Sequence, residues 1–97
     1  MPRIQINRTA WVREDGTVHR VKAADISQGG VKIACSAPMA IGAEVIVTIT
    51  GLAPIPAVVR WRDADFYGIT FNRALGLPLL VAWLQEEQGQ ERSRAAG

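Results

Sequence analysis

Apolar and polar residues alternate through most of the first seventy positions. Ile4, Ile6, Ala10 and Val12 sit between polar neighbours and read as one or two extended segments. They end at Glu14-Asp15-Gly16, a hairpin signal. Thr17 to Ile26 resumes the extended pattern through Val18, Val21 and Ala23, and Gln28-Gly29-Gly30 marks a second turn. Val31, Ile33 and Cys35 then alternate with Lys32 and Ala34. Pro38 to Gly42 is a connection. Val45, Val47 and Ile49 make the cleanest strand, supported by Thr48 and Thr50. Gly51 to Pro56 carries two prolines and reads as a turn. Ala57 to Arg62 is a further strand, with Val59 and Trp61 expected on one face, and Asp63-Ala64-Asp65 turns it into Phe66 to Phe71. Six or seven short strands with frequent turn signals predict a sandwich or a barrel. At this size a barrel disposes of exposed edges best.

The period changes after Phe71. Leu77, Leu80, Val81 and Leu84 fall at i, i+3, i+4 and i+7, which predicts a helix, and Pro78 suits its first turn. Leu79 and Trp83 form a second i, i+4 pair pointing away from that stripe. A helix apolar nearly all round needs contacts on two sides. The stripe through Leu80 and Leu84 is expected to close the barrel. The Leu79/Trp83 face then meets a second subunit in a homodimer, a neighbouring domain, or a loop of the same chain. The expected fold is therefore all-β: a small six- or seven-stranded antiparallel, split barrel with a C-terminal α-helix over residues 1–88, followed by a flexible tail over residues 89–97. A chain of 97 residues fits one such domain. It is long enough for a core but not for a core and a deep catalytic cleft.

Charge and composition narrow the chemistry. The net charge is +2, from 11 basic and 9 acidic residues, and only Lys22 and Lys32 among the basic ones are lysine. Arginine's planar fork suits phosphates and purine edges; a GC-rich genome gives the same bias. Cys35 and His19 are the sole cysteine and histidine, so there is no intrachain disulfide and no Cys/His zinc site. Cys35 alternates with core residues, and His19 is expected on the surface of a strand. Asp63 and Asp65 flank a turn, and Glu86 and Glu87 are expected at the exposed end of the helix. Nothing resembles a nucleophile with its base, so an enzyme is not expected, and neither is a cofactor. No apolar run approaches the roughly 20 residues that a membrane span needs. The expected location is the cytoplasm, either free or as the cytoplasmic domain of an inner-membrane protein, without direct membrane insertion.

Asp25-Ile26-Ser27-Gln28-Gly29-Gly30 is the most informative stretch. On an extended segment Asp25 and Ser27 project to one face. A carboxylate beside a hydroxyl can accept from and donate to a purine edge, and Gly29-Gly30 permits positive φ and a close backbone approach. The same residues also serve as a simple tight turn.

Asp25, Ser27 and Gly30 resemble the DxSxxG motif of the PilZ family. Val58-Val59-Arg60-Trp61 is similar to that family's penultimate strand, and Tyr67-Gly68-Ile69-Thr70-Phe71 to its closing strand, with an apolar helix following. The likeness spans about residues 3 to 85. It implies a regulatory domain that binds the second messenger cyclic di-GMP, with Arg3, Arg8, Asp25, Ser27, Gly29 and Gly30 as ligand-binding residues. It also implies a relay to a partner or fused protein, such as a polysaccharide (cellulose) synthase. In that family an Arg-x-x-x-Arg element ahead of the first strand clamps phosphates and guanine edges. Here no two arginines are four apart near the start: Arg3 and Arg8 are five apart, as are Arg8 and Arg13. Arg3 best matches the second arginine. The sequence then either starts inside the element as a piece of a longer protein, or belongs to a member with a degraded site, or uses Arg8 through a bulge. A protein-interaction module without nucleotide binding is the alternative. Trp11, Trp61 and Trp83 with the positive charge raise a third reading, a binder of single-stranded nucleic acid. The interspersed acids, and the core or interface positions expected of Trp61 and Trp83, argue against it, so no nucleic acid polymer is expected as a partner.

Overall fold

A computed structural model describes residues 3–96, with side chains through Glu87. The described residues form six strands: β1 (Ile4–Glu14), β2 (Thr17–Ile26), β3 (Gly30–Ala34), β4 (Glu44–Ile49), β5 (Ile55–Asp63) and β6 (Phe66–Phe71). They close into one antiparallel barrel in the order β1-β2-β3-β6-β5-β4, and a single helix, α1 (Leu77–Ala96), follows. No helix among the described residues is long and apolar enough to cross a membrane.

Local sequence sets the two tightest hairpins. Asp15 and Gly16 both take positive φ (46° and 84°), as a right-handed strand twist requires of a two-residue loop. At the β5–β6 hairpin Ala64 adopts φ 53°, an unfavourable conformation for a residue with a Cβ. Alternation supplies the core. Ala10, Val12, Ile33, Val47, Ile49 and Val59 are fully enclosed. Cys35 is buried as expected, its thiol 3.3 Å from the Ala37 carbonyl. Tyr67 is buried too, and its hydroxyl accepts from the Met39 amide at 3.1 Å.

Five expectations need correction. Val59 and Trp61 do not share a face, because the β5–β6 register slips between them. The extra residue, Arg60, reverses the alternation, so Val59 points into the core and Trp61 lies on the outside. Trp83 does not share a free face with Leu79. It is buried with Leu80, and its indole N–H donates to the Thr50 carbonyl at 2.8 Å. That indole rests on Gly51, whose φ of 92° and lack of a Cβ allow the contact. Glu87 is buried rather than exposed, because it follows Leu80 and Trp83 on the inner side of α1. His19 is partly covered: its register partner is the core residue Val12, and its Nε2 lies 3.5 Å from Glu14. Gly29 and Gly30 do not take positive φ, which is confined among the described glycines to Gly16, Gly42 and Gly51.

Candidate functional site

Two irregularities in the sheet shape the region around Asp25. Val21 and Ala23 point into the core, and strict alternation would send Asp25 in after them. Instead β2 carries an extra residue between Ala23 and Asp25 relative to β3. Alternation resumes with Ile26 inward and Asp25 outward, which spares the core an unpaired carboxylate. Opposite it, β1 is irregular between Gln5 and Arg8. The N-terminal arm is thereby led across Asp25, and the Arg3 Nη1 donates to Asp25 Oδ1 at 2.8 Å. The Arg3 side chain remains 51% exposed while that of Asp25 is only 15% exposed.

Ser27 plays a different part from the one its spacing predicts. β2 ends at Ile26, so the rule that i and i+2 share a face stops applying before Ser27. Its amide donates to the Gly30 carbonyl at 2.9 Å, and its hydroxyl accepts from the Gly29 amide at 3.3 Å. Ser27 is therefore buried and holds the turn, rather than standing beside Asp25 on the surface. Gly30 meets the need for a bare backbone, since a Cβ there would run into the Ile69 carbonyl of β6. The Gly29 carbonyl accepts from Phe71 at 2.9 Å. Gln28 grips Leu75 twice, its carbonyl accepting from the Leu75 amide at 2.8 Å and its Nε2 donating to the Leu75 carbonyl at 3.1 Å. The turn is thus fastened to the segment that leads into α1.

Arg8 lies elsewhere. Its Nε is 2.7 Å from Glu87 Oε2, with side-chain exposures of only 14% and 9%. The structure brings Arg3, Asp25 and the turn of Ser27, Gly29 and Gly30 together, and sets Arg8 against the helix.

Sequence reasoning missed the outer row of the sheet. Register pairs Gln5 with Asp25, Asp25 with Lys32, Lys32 with Gly68 and Gly68 with Trp61. These five positions form a continuous band beside the arm. The Trp61 indole lies over Gly68, where a Cβ would collide with it, yet Trp61 stays 37% exposed. Lys32 Nζ stands 4.6 Å from the centroid of the exposed Phe66 ring. A legible signal existed for one member of this band. A two-residue loop at Ala64-Asp65 forces Asp63 opposite Phe66, Arg62 opposite Tyr67 and, across the bulge, Trp61 opposite Gly68.

With Arg3 of the arm and Phe66 beside it, the band offers two cations, a carboxylate and two aromatic faces. That set suits a flat, anionic, hydrogen-bonding ligand. No group of three or more potential metal-binding side chains occurs among the described residues.

A search of curated proteins returned no significant match. The family model for the PilZ domain matches residues 1–90, which takes in the arm, the Asp25 turn, the whole barrel and the described side chains of α1. With the match spanning nearly all of the chain, the protein belongs to the PilZ domain family.

Proposed function

We propose that this chain is a cyclic di-GMP sensor, binding the dinucleotide between the N-terminal arm and the Asp25 turn. PilZ domains are a family of cyclic di-GMP receptors, binding and regulatory rather than catalytic. The observation that carries the reading is the Arg3–Asp25 contact, which joins the arm to the turn across 22 positions of sequence. Magnitudes favour an exchange. An ion pair with so exposed an arginine contributes about 0.2–1 kcal/mol. A charge-assisted hydrogen bond from guanidinium to phosphate contributes about 1.5–3 kcal/mol. A phosphodiester therefore draws Arg3 away from Asp25 at little cost. The freed carboxylate then accepts from the N–H groups of a guanine edge, and Trp61 offers a stacking surface worth about 1–3 kcal/mol per base. Ser27, Gly29 and Gly30 hold the backbone of the turn in place. Ordering of the arm on the ligand would be the signal relayed to a partner or fused protein, a polysaccharide synthase being one such output.

Titration calorimetry with cyclic di-GMP tests this. Saturable binding is expected, weakened about tenfold or more by Arg3→Ala and by Asp25→Ala, each removing charged contacts of about 1.5–3 kcal/mol. Quenching of Trp61 fluorescence should accompany binding. The absence of saturable binding, both in this chain and in any longer natural form carrying residues ahead of Met1, would end the proposal.

One observation favours the alternative of an interaction module without a nucleotide. Arg8 is engaged by Glu87, so Arg3 is the guanidinium of the arm that reaches Asp25. Asp25→Ala separates the two readings, because an interaction module keeps its partner and its cellular output when that carboxylate is lost.

A further inference from the structure

The first turns of α1 present an unusual surface. Leu80 and Trp83 are buried against the barrel, yet Leu77, Leu79 and Val81 are 55%, 52% and 42% exposed. Leu79, Ala82 and Glu86 fall at i, i+3 and i+7, so they share one face of the helix, and all three are exposed. Beside Leu79 opens an apolar hollow of about 240 Å³, lined by Leu52, Pro54, Ile55, Pro56 and Arg73 among others. Arg73 and Glu86 are both exposed, and neither has an ion-pair partner among the described residues.

This surface is complementary to itself. It carries an apolar hollow with a cation in its lining, and an apolar helical stripe that ends in an anion, neither of them paired among the described residues. Seven residues of helix separate Leu79 from Glu86, about 10 Å along the axis. The hollow is lined by both Leu79 and Arg73. If two copies lay their helices antiparallel about a two-fold axis near Leu79, each stripe would cover the other's hollow. Each Glu86 would then run back toward the other copy's Arg73. A two-fold interface requires one patch to supply both halves of every contact, and this patch does so. An unrelated partner would have to bring its own matching acid and stripe.

We propose that the chain forms a homodimer through this face, with Leu79 at its centre and Arg73 of each copy paired with Glu86 of the other. The proposal is independent of cyclic di-GMP binding, because none of these residues belongs to the arm or the Asp25 turn.

Sedimentation equilibrium over a concentration series, with circular dichroism to verify folding, tests it. The wild-type chain is expected to show a reversible species of twice its own mass. Leu79→Glu should yield a folded monomer. Arg73→Glu and Glu86→Arg should each weaken the dimer about tenfold, because two symmetry-related attractions become repulsions. The double variant Arg73→Glu/Glu86→Arg should restore wild-type association. A wild-type chain that stays monomeric at its highest soluble concentration overturns the proposal, including the case in which this face captures a different protein instead. So does a dimer indifferent to Leu79→Glu, or a double charge reversal that fails to restore what the single reversals removed.

Discussion

Arg8 and Glu87 show how much one contact can carry. Their 2.7 Å pair is largely removed from water and ties β1 to α1. Deleting one partner of such a pair leaves a charge without compensation, at a cost of about 3–5 kcal/mol for full burial. Arg8→Ala should therefore lower stability by about 3 kcal/mol in denaturant unfolding, at the lower end of that range because some solvent reaches both groups. Glu87→Gln, which keeps a hydrogen-bond acceptor, should cost less. Arg3→Ala breaks an exposed pair and should change stability by less than about 1 kcal/mol, so its effect on ligand binding is readable without unfolding. Glycines divide in the same way. Gly30→Ala drives a Cβ into the Ile69 carbonyl, part of a strand that cannot yield, whereas Gly68→Ala pushes only on the Trp61 indole. Both should destabilise, by about 1–3 kcal/mol for overpacking. Gly68→Ala alone should shift the tryptophan emission. Ala64→Gly should raise the melting temperature, because it relieves a positive φ that costs roughly 1–2 kcal/mol for a residue with a Cβ.

Among the elements, α1 is the one whose sequence pattern misleads. Its apolar residues surround the axis, and the periodicity offers a stripe through Leu80 and Leu84 and a second pair, Leu79 and Trp83. The barrel takes one residue from each, Leu80 and Trp83, because Gly51 leaves room for an indole whose N–H donates to the Thr50 carbonyl. Trp83→Phe keeps most of the apolar area but leaves that carbonyl without its donor. It should cost about 1–3 kcal/mol, measured by thermal or chemical unfolding. Leu79→Ala, one turn away on the exposed side, should leave the stability of the monomer within about 0.5 kcal/mol. The bulges in β1, β2 and β5 act at this scale as well. Each adds one residue to a strand, and each moves a side chain of the candidate site to the outer face or steers the arm across it.

For the whole molecule, the arm, the Asp25 turn and α1 are mechanically joined. Gln28 fastens the turn to Leu75 at the approach to the helix, and Arg8 fastens β1 to Glu87 near the end of its described side chains. A ligand held between arm and turn bears on both fastenings. Binding to the folded state alone adds about 2.7 kcal/mol of stability at a hundredfold excess over the dissociation constant. In a domain of this size that corresponds to a rise of roughly 10–20 °C in melting temperature. A thermal-shift titration with cyclic di-GMP should show it, and a tenfold loss of affinity in Asp25→Ala should cut it to about half at the same ligand concentration. Gln28→Ala should leave binding nearly intact while loosening residues 72–76, read as faster amide exchange at Leu75.

The sequence by itself determined the barrel, its hairpins and the helix. Strand periodicity, the Asp15-Gly16 turn and the apolar run after Leu75 are local signals, and local geometry reads them without help. The likeness of Asp25, Ser27 and Gly30 to the PilZ motif singled out that turn, and the same resemblance pointed to Arg3. Tertiary structure alone decided which way several side chains faced. A single extra residue in a strand inverts every later position, and a bulge at Arg60 or Ala24 is chosen by pairing with a neighbouring strand, not by the residue itself. Hence Trp61 lies outside and Asp25 escapes the core, while the end of β2 at Ile26 turns Ser27 back on its own loop and docking of α1 buries Trp83 and leaves Leu79 in the open. Arg8 met Glu87 for the same reason: the two are far apart in sequence, and only closure of the helix onto the barrel brings a cation and an anion together where little water competes for either.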